Sequence, residues 1–209
     1  VRIEDVGRVG FVSFTQWPFA LAALAESALT FQDMGSQITL AFWSTRTPMK
    51  DTGWSTYAGV ARLFGGRTAD EAVRESLIAA GVPATGSVDP PIKGWRPHDA
   101  PRITRPLNRS AIRTLSYRGS PMGRAMLQIR PDTETPITDR FFWPRRLLQA
   151  AATSYAWAYD QTSALIRDRN LDSLVVYNGR FLHDRAAAAV GEAAGISVWY
   201  YDSGGIDTD

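Results

Sequence analysis

The segment LDSLVVYNGRFLHDRAAAAVGEAAGISVWYYDSGG, residues 171–205, decides the fold of this chain because it predicts a β-α-β unit. Residues 174–177 form a short, mostly apolar run with two β-branched valines, which is typical of a parallel strand covered on both faces. An alanine-rich helix is predicted over 180–194, and Gly195 stands where a helix would end. A second strand over 196–201 follows directly.

The two predicted strands also indicate where a ligand would bind. A helix that joins two strands in this way is a parallel crossover, so both strands point the same way. Asn178 and Asp202, which follow the strands, are therefore expected at the same edge of the sheet. Ligands of open α/β sheets bind at the carboxyl edge of the strands, so we expect the site there.

The start of the chain predicts a second unit of the same kind. Residues 9–14 form a strand-like run, and Pro18 suits the first turn of the helix that follows. Met34-Gly35 would end that helix, and a second buried strand is predicted over 38–43. These units predict an α/β fold, a Rossmann-like three-layer sandwich with a mainly parallel sheet. We expect residues 1–209 to form a single Rossmann-like domain.

The middle of the chain predicts helices and an irregular insertion. Residues 54–81 look helical in two pieces broken at Gly65-Gly66, with Thr68 capping the second piece. Residues 82–143, rich in proline and arginine, are predicted to form an irregular or helical insertion. Short helices are expected within it at 108–117 and 121–129. A long helix over 144–169 then leads into the strand at Leu174.

Composition excludes several classes of protein. The chain lacks cysteine and has only two histidines, so disulfides, thiolate metal sites and a histidine-built zinc site are not expected. Neither a dinucleotide fingerprint nor a phosphate-binding loop of the common kinds is present. We therefore predict no metal and no cofactor. With no apolar run long enough to cross a bilayer, the expected location is the cytoplasm, including contact with the inner face of the membrane.

Positive charge is concentrated in the middle of the chain. Residues 93–147 hold twelve basic and four acidic residues, whereas the rest of the chain is net negative. Such a patch attracts phosphates, nucleotide sugars, nucleic acid or an acidic polymer. It is equally explained by a general preference for arginine, which supplies 21 of the 23 basic residues, on a solvated surface. No nucleic-acid-binding motif is legible, so nucleic acid is not an expected partner.

Residues at the strand ends form the predicted binding site. The two glycine turns let a ligand approach the backbone, and the start of the helix at Arg180 favours an anion or a hydroxyl-rich partner. Alternatively, Asn178-Gly179 is an ordinary left-handed turn and Arg180 pairs with a helix carboxylate. The candidate substrate-binding residues are Thr15, Gln16, Trp17, Arg46, Asn178, Gly179, Arg180, Ser203, Gly204 and Gly205.

His183 and Asp202 are the candidate catalytic residues. His183 lies one turn into the predicted helix, from which a neutral imidazole facing the cleft would be a competent base. The alternative is a histidine on the helix surface beside Asp184 and Arg185. Asp202, at a strand end, could accept hydrogen bonds from sugar hydroxyls or act as a base, or it could cap the following turn.

The unit at 175–205, with its Asn178-Gly179-Arg180 turn and its acidic residue before Gly204-Gly205, resembles bacterial GT-B glycosyltransferases of capsule and surface-polysaccharide biosynthesis. The likeness is to their N-terminal half, and the opening unit, with a helix ending at Gly35 before the second strand, is similar as well. Many of those enzymes carry Glu rather than Asp before the glycine. The segment between the two units, about 46–170, resembles no family.

The resemblance implies a two-domain enzyme. The N-terminal domain would bind a glycan acceptor, and a C-terminal domain beyond Asp209 would bind a nucleotide-sugar donor. Asp202 or His183 would be the base, and no bound metal would be needed for the donor. The residues taken by themselves leave another class open, a non-catalytic Rossmann-like module that binds a small polar or phosphorylated ligand.

Overall fold

A computed structural model of the chain describes residues 7–15, 17–43, 46–48, 68–82, 89–96, 100–129, 142–179 and 181–202. Its four strands are β1 (Arg8–Ser13), β2 (Gln37–Phe42), β3 (Ser173–Tyr177) and β4 (Ser197–Tyr201). Its helices are α1 (Pro18–Asp33), α2 (Ala69–Ala79), α3 (Arg109–Arg113), α4 (Met122–Met126), α5 (Arg145–Arg169) and α6 (Leu182–Ala194), with a 3₁₀ turn over Leu127–Ile129.

The strands form one sheet in the order β2-β1-β3-β4, and all three pairings are parallel. This arrangement confirms the predicted α/β class with a Rossmann-like parallel sheet. The chain reaches β2 through α1, then returns across β1 to place β3 on its other side. The order of the strands therefore reverses between β1 and β3, which is where ligands bind in open sheets of this type.

Helices cover both faces of the sheet and make two apolar cores. One core lies between the sheet and α1 with α2, and it includes Phe11, Leu24 and Leu40. The other lies under α5 and α6 and continues into α3 and α4 through residues such as Ile112 and Met126. The apolar side chains of the 100–129 segment thus share a core with α5 instead of forming a separate one.

The ends of the helices follow the local chemistry of the sequence. Pro18 opens α1, as predicted, since its fixed φ suits a first helical position. The Glu71 carboxylate accepts a hydrogen bond from the Thr68 backbone N–H at 2.9 Å, which closes the predicted cap of α2. Gly195 ends α6 with φ +71°, in the left-handed conformation that glycine adopts easily. The first part of the predicted 54–81 helix lies outside the described residues.

Helix α5 is longer than the sheet is tall. Its 25 residues span ~37 Å at 1.5 Å per residue, whereas five- and six-residue strands span roughly 17–20 Å. Its Trp157 packs on Phe14 and Trp43, which directly follow β1 and β2. The helix runs back from there to the start of β3, so the twelve positions before Trp157 extend about 18 Å beyond the carboxyl edge. These α5 residues, together with α3 and α4, lie beside the carboxyl ends of the strands. We call α5, α3 and α4 the wall.

Candidate functional site

The carboxyl ends of β3 and β4 are joined by two side chains that the sequence predicted at one edge. The Asn178 Nδ2 donates a hydrogen bond to Oδ2 of Asp202 at 3.0 Å. The Asn178 backbone N–H donates to the carbonyl of Tyr201 at 2.8 Å, which extends the β3-β4 ladder by one residue. Asp202 is exposed and Asn178 is half-buried, so this polar pair faces the solvent at the carboxyl edge.

The turn after β3 is left-handed at two successive residues. Asn178 has φ +50° and Gly179 has φ +65°. Asparagine tolerates this conformation because its short amide can bond locally, and glycine adopts it without steric cost. A Cβ on Gly179 would also lie 2.5 Å from Cε1 of Tyr200. The left-handed turn expected as the structural alternative is therefore present, and it is the turn that brings Asn178 to Asp202.

Aromatic side chains lie beside this turn. Trp17 packs edge-on against Tyr177, with ring centroids 6.1 Å apart, and against Phe19 at 6.0 Å. Phe181 stacks on the other side of Tyr177 at 5.9 Å with an interplanar angle of 11°. Trp17 and Phe181 are half-buried and Phe19 is mostly exposed, so we call Trp17, Phe19 and Phe181 the aromatic shelf. It gives the edge an apolar surface next to the polar pair.

Polar groups are also buried just beneath the edge. Ser13 ends β1, Tyr201 ends β4, and Asp184 lies in the first turn of α6; all three are buried. Burial raises the pKa of the Tyr201 hydroxyl well above its usual value, and the charge of Asp184 raises it further, whereas the neighbouring Ser13 hydroxyl lowers it. The hydroxyl therefore stays protonated at neutral pH and can donate a hydrogen bond inside the core.

The structure places His183 in the core, in neither of the positions expected from the sequence. Its side chain has no solvent exposure, and its ring stacks on Phe14 with centroids 5.3 Å apart and an interplanar angle of 24°. Phe14 in turn packs on Trp43 and Trp157, so His183 is one member of an aromatic cluster under the strand ends. The prediction of a histidine on the helix surface is therefore wrong. For the imidazole to face the cleft, this aromatic cluster would have to open.

The other predicted site residues are distributed unevenly. The buried Thr15 accepts a hydrogen bond from the Trp17 backbone N–H at 3.0 Å, so it shapes the turn after β1. Arg46 is exposed and pairs with Asp89 at 3.6 Å, away from the polar pair and on the β2 side of the sheet. Five predicted residues lie outside the described part of the chain: Gln16, Arg180, Ser203, Gly204 and Gly205.

Beside Arg46 the structure has a cavity of about 510 Å³ that the sequence did not predict. It lies between the 89–96 segment and α5, and Trp95 and Trp157 are in its lining. The amide of Gln161 holds the segment at two points, accepting from the Ile92 N–H at 2.8 Å and donating to the Ile92 carbonyl at 3.0 Å. Only the folded chain brings residues 69 positions apart into this contact.

The neighbouring residue on α5 fixes a second set of contacts. Asp160 Oδ2 accepts hydrogen bonds from Trp95 Nε1 and from the Tyr117 hydroxyl, both at 2.8 Å. Its Oδ1 lies 3.3 Å from Nε of Arg118. Burial and the bond to Asp160 raise the pKa of Tyr117 to about 12. Asp160 is thus engaged in holding the wall together.

Within the described ranges no three His, Asp or Glu side chains come together as metal ligands. Among the helices described, none is long and apolar enough to span a membrane. Comparison with protein-family models, with curated proteins and with solved structures finds no match to this chain. The resemblance to GT-B glycosyltransferases therefore stays a prediction, and the site has to be interpreted from its own chemistry.

Proposed function

We propose that this chain is the acceptor-side domain of a bacterial glycosyltransferase that makes a surface glycan. In this proposal the glycan acceptor binds at the carboxyl edge of the sheet, and a nucleotide-sugar donor is bound by a separate, C-terminal domain. The observation that carries the proposal is the exposed pair of Asn178 and Asp202, held at 3.0 Å where the strand ends of β3 and β4 meet.

The chemistry of this edge suits a sugar. A carboxylate accepts hydrogen bonds from hydroxyl groups and an amide both donates and accepts them, so the polar pair can recognise a hydroxyl-rich ligand. The aromatic shelf offers ring faces and edges against which the C–H side of a sugar can pack. The left-handed turn at Asn178 and Gly179 holds the Asn178 amide beside Asp202, so the polar pair is in place before a ligand binds.

In the proposed reaction Asp202 is the base. The acceptor hydroxyl gives its proton to the Asp202 carboxylate while its oxygen forms the bond to the anomeric carbon of the donor sugar. The bond from that carbon to the nucleoside diphosphate breaks, and the diphosphate leaves with the electron pair. Asn178 positions the carboxylate through its hydrogen bond. A nucleotide-sugar donor goes with a cytoplasmic location, including the inner face of the membrane.

Ligand-observed NMR with short surface-glycan fragments tests the proposal. We expect saturable binding that Asp202→Asn weakens at least tenfold, because the amide replaces an acceptor with a donor at one oxygen. Asp33→Asn is the matched control, since Asp33 ends α1 at the opposite edge of the sheet and is also exposed. Glycan binding that is absent, or that both variants weaken equally, would show that the acceptor does not bind at this edge.

A second candidate function is a non-catalytic module that binds a small polar or phosphorylated ligand. It is favoured by the placement of His183, which has no solvent exposure and stacks on Phe14, so only one of the two predicted bases faces solvent. Binding of phosphorylated monosaccharides that Asp202→Asn changes and Asp33→Asn does not, without any binding of glycan fragments, would favour this module over the acceptor-side domain.

A further inference from the structure

A second cavity lies along the first half of α5, and it is basic. It has a volume of about 690 Å³ and opens to solvent. Three exposed arginines, Arg102, Arg145 and Arg146, are in its lining together with the polar side chains of Gln149 and Thr153, and no acidic residue is. A concave surface with three positive charges and no described negative charge attracts anions.

None of these arginines forms an ion pair within the described part of the chain. The ion pairs found there involve Arg8, Arg46, Arg118 and Arg167. Asp89 is the partner of Arg46, and Asp160 on α5 is the partner of Arg118. The guanidinium groups of Arg102, Arg145 and Arg146 are therefore available for a ligand.

Two of the three arginines stand where positive charge is least favourable. Arg145 and Arg146 are the first two residues of α5, whose first turn holds no acidic residue and whose N-cap, Pro144, gives no side-chain cap. The N-terminus of a helix carries a partial positive charge, so cations there are disfavoured. No described acidic residue offsets this unfavourable placement of positive charge, which indicates that the two charges serve a function.

The rest of the lining would hold an anion in place. The Gln149 Oε1 accepts from the Ile103 backbone N–H at 2.8 Å, which fixes both the side chain and the 100–103 segment that carries Arg102. With its oxygen engaged, Gln149 presents its amide N–H₂, which lies 3.5 Å from Oγ1 of Thr153. Fixed donors beside arginine forks match the oxygens of a phosphate group.

We propose that this cavity binds a phosphate-bearing ligand, with Arg102, Arg145 and Arg146 as its anion-binding residues. The volume exceeds what a single phosphate needs, so the ligand class is a diphosphate or a phosphate attached to a larger group. The site shares no residue with the polar pair of Asn178 and Asp202. It therefore stands whether or not the chain binds a glycan at the carboxyl edge.

Isothermal titration with inorganic pyrophosphate at low salt tests the site. We expect one saturable site, which the double variant Arg145→Gln/Arg146→Gln weakens at least tenfold. Glutamine keeps a good helix former at both positions and removes only the charge. The matched control is Arg113→Gln/Arg124→Gln, which removes the same net charge from exposed positions on α3 and α4 outside the described cavities. We expect it to bind pyrophosphate as the unmodified chain does.

The outcomes separate the proposal from general attraction to a basic surface. Equal loss in the two double variants, or no saturable binding to the unmodified chain, would overturn the site. A circular-dichroism melt of each variant shows whether α5 has stayed folded. If the Arg145/Arg146 variant is unfolded, Arg102→Gln, outside any helix, takes its place with the same expectation, and Arg113→Gln alone is its control because it also removes a single charge. Titration with uridine diphosphate then tells whether anything beyond the diphosphate is recognised.

Discussion

Replacing Asp160 with alanine should be among the most destabilising single changes on the wall. The change leaves the buried Tyr117 hydroxyl and the half-buried Trp95 N–H without their acceptor. A buried donor left unsatisfied costs ~1–3 kcal/mol, so two of them cost roughly 2–6 kcal/mol. The ion pair with Arg118, whose own side chain is 49% exposed, adds at most ~1 kcal/mol. We expect Asp160→Ala to lower the free energy of unfolding by about 3–5 kcal/mol.

The assay is urea unfolding followed by tryptophan fluorescence, with the slope compared between variants. Asp89→Ala is the matched control, because it removes the same side chain from an ion pair whose two members are 60% and 78% exposed. We expect that control to change the free energy of unfolding by less than ~0.5 kcal/mol. If Asp160→Ala is no more destabilising than Asp89→Ala, the hydrogen bonds to Asp160 do not hold the wall together.

Two further changes probe the carboxyl edge and the buried hydroxyls. Gly179→Ala should lower the free energy of unfolding by about 1–2 kcal/mol because it places a side chain at φ +65°, and by more because the new Cβ clashes with the Tyr200 ring. The double variant Gly179→Ala/Tyr200→Ala should recover only the part due to the clash. Urea unfolding measures both. Burial raises the pKa values of Tyr117, Tyr155 and Tyr201 above the ordinary value of 10. As the pH rises, the unfolded chain therefore loses these protons before the folded chain does. The free energy of unfolding should keep its full value below pH 10 and fall as the pH rises toward 12. Melting temperatures that stay constant over that range would contradict this.

The sheet could be predicted from the sequence because its signals are local. A β-branched run such as 174–177, followed by a helical period and a glycine, fixes a strand, a helix and its end within 25 residues. The placement of Asn178 and Asp202 at one edge followed from the same rule, since parallel strands end at one edge, whereas their hydrogen bond was not predicted. The turn chemistry of Asn178-Gly179 was legible because few residue pairs accept two positive φ angles in succession.

The positions of single side chains could not be predicted from the sequence, because they depend on contacts between distant residues. His183 resembles a surface or cleft residue in its local sequence, and only the packing of Phe14 against α6 makes it a core residue. The hydrogen bonds between Gln161 and Ile92 and the cavity lined by Arg145 likewise form only when distant segments of the chain pack together. The excess of arginine in 93–147, including Arg145 and Arg146 at the start of the predicted 144–169 helix, was visible, but the cavity that these two share with Arg102 was not.

The two proposed sites differ in charge, and this determines what kind of ligand could use both. The carboxyl edge presents the carboxylate of Asp202, whereas the cavity on α5 presents three arginines and favours anions. Because the sites share no residue, pyrophosphate and a neutral glycan fragment should bind independently, each with the same affinity in the presence of the other. A glycan that carries its own phosphate would bind more tightly than either part, since occupation of one site raises the effective concentration at the other. Competition between pyrophosphate and the neutral glycan would instead place both ligands in a single site and refute the assignment of the two ligands to separate sites.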